Sequence, residues 1–165
     1  MLEWRSAMNL LIVDDEYLVV EEVVTVTDWE LLGITEIYSA TNAVSAVRIL
    51  NEKKIDIMIC DIEMPQTDGL ELSKQAKENF PDLEIVMLTS HAEFNYVRNA
   101  LRYGCYDYLL KPVMEDDIIK VMKNLVTKIE RERHQAQLQE EGIVWNQLKP
   151  VWKEKYWEDR TCRPF

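Results

Sequence analysis

Five short apolar runs, each followed by a segment of helical spacing, constrain this 165-residue chain more than any other feature. Residues 9–13 (NLLIV), 35–40 (TEIYSA), 55–60 (IDIMIC), 84–88 (EIVML) and 106–110 (YDYLL) read as strands. The third is apolar except for Asp56 and predicts a strand buried on both faces. The segments after them read as helices: 17–27, extended by Trp29, Leu31 and Leu32; one capped by Asn42 and running through Leu50; 69–80; 92–101; and a long one from Glu115. The four glycines, Gly33, Gly69, Gly104 and Gly142, all fall at expected boundaries. Strands alternating with helices in this way imply βαβ crossovers and a parallel sheet with helices on both faces. The expected fold is α/β, a doubly wound five-stranded parallel sheet with an extended C-terminal helix.

In such a sheet every strand ends on the same edge. The first run ends at Asp14-Asp15, the third at Asp61, the fourth at Thr89 and the fifth at Lys111. Any one of these has a bland explanation, since acidic residues end strands because they favour turns. Together they predict three carboxylates, a hydroxyl and an ammonium at one place. Two carboxylates ~4 Å apart repel by roughly 4 kcal/mol at an effective dielectric of 20. Lys111 offsets one charge. A hard divalent cation held by oxygen ligands offsets the rest, and the pattern favours Mg2+, which recruits phosphate oxygens. A carboxylate beside a metal and an ammonium is a suitable nucleophile for a phosphoryl group, whose transfer requires alignment and charge neutralisation. His91 reads as a solvated loop histidine.

Net charge is −11, which disfavours nucleic-acid binding by this polypeptide alone. The three cysteines, Cys60, Cys105 and Cys162, form no pattern, and Cys60 reads as a small core residue, as expected in a reducing cytosol. No run approaches the ~20 apolar residues needed to span a bilayer. Residues 1–7 lack the apolar core of a signal peptide, so the domain is expected to start near Met8.

The set DD…D-x-x-M-P-x-x-D-G…T…K-P, on Asp14, Asp15, Asp61, Met64, Pro65, Asp68, Gly69, Thr89, Lys111 and Pro112, resembles the receiver domain of bacterial two-component response regulators. The resemblance covers residues 8–133 and implies the CheY-like strand order 2-1-3-4-5. It implies that Asp61 is the phosphoacceptor and that Asp14, Asp15, Asp61 and the backbone carbonyl of Glu63 hold Mg2+. Thr89 would bond a phosphoryl oxygen and Lys111 would pair with the acyl phosphate, next to a cis Lys111–Pro112 bond. Tyr108 matches the aromatic switch that follows Thr89, although a tyrosine there also reads as strand packing. Glu63 and His91 match the positions that tune loss of the phosphoryl group. The implied partners are a sensor histidine kinase and a second copy meeting through the fourth helix, fifth strand and fifth helix. The implied setting is the cytoplasm, with no membrane contact.

Beyond residue 129 the spacing 118, 122, 125, 129 continues onto Glu132, Ala136 and Gln139. That polar seam predicts a solvated helical extension ended by Gly142. A short helix opened by Pro150 would then put Trp152 and Tyr156 on one face, within a segment that also carries Trp145 and Trp157. Residues 134–165 read as a linker or tail. Its W-x-x-L-K-P-x-W-x-E-K-Y-W-x-D, with Trp29 ahead of Leu31-Leu32-Gly33, resembles regulators carrying an AraC-type DNA-binding output, a domain not in this chain. The extension after Lys120 would carry a switch to such an output. Three rivals compete: a haloacid-dehalogenase-like phosphatase, which wants a second Asp where Glu63 stands; a flavodoxin-like cofactor protein, whose phosphate Asp14-Asp15-Glu16 would repel; and a receiver-like scaffold that never takes phosphate.

Overall fold

In the computed structural model, residues 7–91 and 94–156 are described. Residues 1–6, Ala92, Trp157 and Cys162 lie outside them. The elements in order are β1 Met8–Val13, α1 Tyr17–Thr25, a 3-10 turn Glu30–Leu32, β2 Ile34–Ala40, α2 Ala43–Glu52, β3 Ile57–Asp61, α3 Gly69–Asn79, β4 Glu84–Thr89, α4 Phe94–Arg102, β5 Asp107–Leu110 and α5 Glu115–Tyr156. All pairings are parallel, in the order β2-β1-β3-β4-β5. β3 and β4 are buried at every residue, as central strands covered on both faces must be.

Local chemistry sets the boundaries. Asn42 caps α2 by accepting the Ser45 N–H at 2.8 Å, and Asp68 caps α3 by accepting the Leu70 N–H at 2.9 Å. Gly33 and Gly104, at φ of 90° and 85°, end their helical segments in the left-handed region. Leu70, Leu72 and Ala76 of α3 are buried, as the spacing predicts, and so are Cys60 and Cys105.

Two expectations fail. The first helix stops at Thr25 instead of continuing through Leu32. The buried Trp29 donates its Nε1–H to the carbonyls of Val23 and Val24, both at 3.1 Å, so the indole satisfies the helix end and the chain turns there. The second failure is at the other end of the chain. Gly142 is not a boundary and Pro150 opens no separate helix, because α5 runs unbroken to Tyr156. Glycine in a helix interior costs about 1 kcal/mol relative to alanine and does not forbid the conformation; Pro150 withholds one backbone donor. The expected solvated extension is present: residues 134–148 are exposed.

The chain divides into two compact units, Met1–Val126 and Thr127–Phe165. No helix among the described residues is long and apolar enough to cross a membrane.

Candidate phosphoryl-transfer site

The carboxyl edge of the sheet gathers the expected groups within the first unit. β1 delivers Asp14, which is fully buried. Its Oδ1 accepts the Glu16 N–H at 2.9 Å and its Oδ2 lies 2.7 Å from Lys111 Nζ. Asp15 follows and is exposed. β3 ends on the buried Asp61, whose Oδ1 accepts the Glu63 N–H at 3.3 Å and lies 3.2 Å from Lys111 Nζ. Lys111 follows β5, its backbone N–H bonded to the Thr89 carbonyl at 2.9 Å, next to a cis Lys111–Pro112 bond. One carboxylate oxygen each from Asp14, Asp15 and Asp61 fall within 4.8 Å of one another.

Burial and the Asp14 charge push the Asp61 carboxyl up to about 6, against the opposing pull of Lys111 and the Glu63 N–H. Burial alone would lower Lys111, but its hydrogen bond to Asp14 and the two carboxylate charges outweigh that and raise it. One ammonium therefore bridges two buried carboxylates, with the exposed carboxylate of Asp15 beside them. Among the described residues, Asp14 Oδ2 is buried and lies 2.7 Å from that ammonium, which Asp61 shares. An oxygen-only donor set with excess negative charge fits a hard cation such as Mg2+.

Thr89 stands at the end of β4, buried, with its hydroxyl in a small ring: it donates to the His91 carbonyl at 2.9 Å and accepts the His91 N–H at 3.1 Å. At the mouth the His91 imidazole lies 3.6 Å from a Glu63 carboxylate oxygen, both side chains about half exposed. Tyr108 is half-buried against the core cluster. Asp14, Asp15, Asp61 and Lys111 thus converge directly, Thr89 sits on the adjoining strand end, and Glu63 and His91 line the rim.

Three further residues hold the loop and the strands in place. Gln66, in the loop between β3 and α3, is held at a φ of 75°. That loop holds the Pro and Asp-Gly turn signals, but nothing in it marks which residue takes the left-handed conformation. Asp56 precedes β3 and ties it to β1: its Oδ2 accepts the Asn9 N–H at 2.8 Å. Being the one polar residue in an apolar run was its only signal. Ser73, fully buried on α3, donates to Met87 Sδ at 3.2 Å. No pattern in the sequence distinguishes it from a surface serine.

A 2-1-3-4-5 parallel sheet with an acidic cluster and a lysine at its carboxyl edge defines the CheY-like class of α/β domains. The family profile of the response regulator receiver domain matches residues 10–123, and the chain belongs to that family. It is 33% identical over 124 residues to the transcriptional regulatory protein YesN of Bacillus subtilis, covering 75% of this chain and 34% of that protein. It is 32% identical to the response regulator SaeR of Staphylococcus aureus, covering 77% and 54%. Among solved structures, the two component transcriptional regulator AraC of Clostridium phytofermentans superposes at a TM-score of 0.70 with 25% identity, covering 78% of this chain and 98% of that one. The receiver domain of AraT from Geobacillus stearothermophilus gives 0.66 and 29%, covering 79% and 98%. The chain spans about a third of the Bacillus relative and about half of the staphylococcal one.

Proposed function

We propose that this chain is a phosphorylation-activated switch in which Asp61 accepts a phosphoryl group from a sensor histidine kinase. The convergence of Asp14, Asp15, Asp61 and Lys111 at the carboxyl edge of the sheet carries this reading. Asp61 Oδ1 is occupied by Lys111 and the Glu63 N–H, which leaves Oδ2 to attack phosphorus. The new bond is Oδ2–P; the bond to the donor nitrogen breaks, and with a proton already on its other ring nitrogen the donor histidine leaves as a neutral imidazole. Asp14, Asp15, Asp61 and the Glu63 carbonyl would hold Mg2+, which supplies charge neutralisation for the phosphoryl oxygens. Lys111 holds Asp61 in place and neutralises the acyl phosphate. Thr89 would leave the His91 backbone to bond a phosphoryl oxygen, and Tyr108 would move into the space it vacates.

The receiver occupies residues 8–133 and residues 134–165 act as linker. The face of α4, β5 and α5 would report the switch to a second copy and to a DNA-binding output of the AraC type, in the cytoplasm. The chain is a stoichiometric acceptor rather than a turnover phosphatase: an exposed Glu63, turned toward His91, stands where a phosphatase of this chemistry places its second aspartate.

Incubation with acetyl phosphate and Mg2+ followed by intact mass tests this. One phosphoryl group per chain, lost on Asp61→Asn, is the expected result. Equal incorporation in the variant would show that Asp61 is not the acceptor, and continuous turnover of a phosphate ester would favour the phosphatase.

A further inference from the structure

Beneath the carboxyl edge, sulfur atoms from three segments gather around one hydroxyl. Cys60 on β3, Met87 on β4 and Cys105 ahead of β5 belong to one core cluster, and Ser73 of α3 is buried with them. Met87 stands opposite Cys60 in the β3–β4 register. The Ser73 hydroxyl donates to Met87 Sδ at 3.2 Å. Burial raises both thiols, and a hydrogen bond to that same hydroxyl pulls each of them back. Both cysteines are free, and Cys60 donates its S–H to the Asp61 carbonyl at 3.4 Å.

Strand geometry decides what can join the two thiols. Neighbouring strands stand about 4.8 Å apart, so with β4 between them the Cα atoms of Cys60 and Cys105 are separated by roughly 10 Å or more. A disulfide needs them within about 7 Å. A metal ion between two thiolates holds the sulfurs about 4 Å apart, twice the length of an S–S bond. A shared ion therefore reaches where a disulfide does not. The point on which the sulfurs converge is filled by a serine side chain, which a single rotation about χ1 removes.

We propose that Cys60, Cys105 and Met87 form a three-sulfur site for a soft monovalent metal ion, Cu+, with Ser73 turning away as the ion enters. Thiolate and thioether sulfurs select soft ions, and among the described residues the surrounding core cluster holds no histidine. The thioether favours Cu+ over Zn2+, whose sites are built from Cys, His and carboxylates. Each thiol gives its proton to solvent as the ion binds, and no electron moves. Two thiolates and one monovalent ion carry a net negative charge, which the Lys77 ammonium, already acting on Cys105, offsets. Entry is beside Cys105, the least buried of the three at 6%. There the Lys77 stem lies over Gly104, 3.6 Å from where a Cβ would stand, and its ammonium is held by the Leu83 carbonyl at 2.7 Å. The site is one residue before Asp61 and two before Thr89, so a bound ion would brace both strand ends. The inference goes beyond the phosphoryl switch and does not depend on it.

Anaerobic titration of the whole chain with Cu+, in a Cys162→Ser background and against the chelator bicinchoninate, tests the site, with Mg2+ in excess to fill the acidic cluster. One Cu+ per chain is expected, with X-ray absorption showing three sulfurs at about 2.3 Å and no lighter ligand. Cys105→Ala should lose the ion. Met87→Leu, which conserves volume, should weaken it by about tenfold or more, with circular dichroism checking the fold of each variant. Zn2+ at the same concentration should not be held. No Cu+ retained against the chelator, nitrogen or oxygen in the shell, retention unchanged in folded Met87→Leu, or Zn2+ held equally well would each overturn the proposal. The spectrum of the Cys162→Ser chain and the Met87→Leu titration decide the matter even where Cys105→Ala does not fold.

Discussion

A Cβ added to Gly69 would stand 1.8 Å from the carbonyl oxygen of Asp61. The first residue of α3 thus packs directly on the backbone of the strand end that bears the central carboxylate, and the Gly69 N–H bonds the Ile62 carbonyl at 3.0 Å. Only a residue without a side chain allows that approach. Gly69→Ala forces backbone against backbone, so it should destabilise the domain by more than about 2 kcal/mol in denaturant melts and displace Asp61. Gly142→Ala, with nothing within 4 Å of the new Cβ, should leave stability level or slightly raised.

The crowded carboxylates give a pH dependence of defined sign. The folded Asp61 carboxyl titrates near 6 and its ordinary value is 3.8. Between those values the folded chain binds the extra proton, so the contribution of Asp61 to stability is greatest below about 4 and is lost as pH rises through 6. Asp61→Asn removes the repulsion with Asp14. In metal-free buffer it should raise the melting temperature at pH 7 by a few degrees, and the difference should shrink toward zero near pH 4. Thermal melts across that range read both ends.

Lys111 is the counter-ion of two buried carboxylates. Lys111→Met should destabilise the metal-free protein at neutral pH by roughly 3–5 kcal/mol, because Asp14 and Asp61 lose their shared partner. Added Mg2+ should recover part of that loss, and the recovery should weaken when Asp15→Asn is combined with it. Melts with Mg2+, and with Ca2+ as a comparison, measure this.

Gln66 keeps a backbone conformation that glycine adopts without penalty. Gln66→Gly should raise stability by about 0.5–1 kcal/mol in urea melts.

The strand pattern and the carboxyl-edge residues were legible because both follow from local chemistry. A buried parallel strand must be apolar, and its end must turn, so Asp14, Asp61, Thr89 and Lys111 stand out where apolar runs stop. What was not legible depends on contacts distant in sequence or on competing weak preferences. Trp29 ends α1 through a hydrogen bond that no spacing announces. Asp56 holds β1 across 47 residues. Gly142 looks like a stop because glycine often is one, yet in α5 the conformational cost is small enough to be absorbed.

The ring between the Thr89 hydroxyl and the His91 backbone has a consequence for signalling noise. The hydroxyl already has a donor and an acceptor, so leaving them costs two hydrogen bonds before anything is gained. If Thr89 moves as proposed, excursions toward the active arrangement carry that cost, and a charged phosphoryl group is a ligand able to offset it. In the proposed switch, that cost falls on the resting arrangement's side of the balance and comes from the backbone itself.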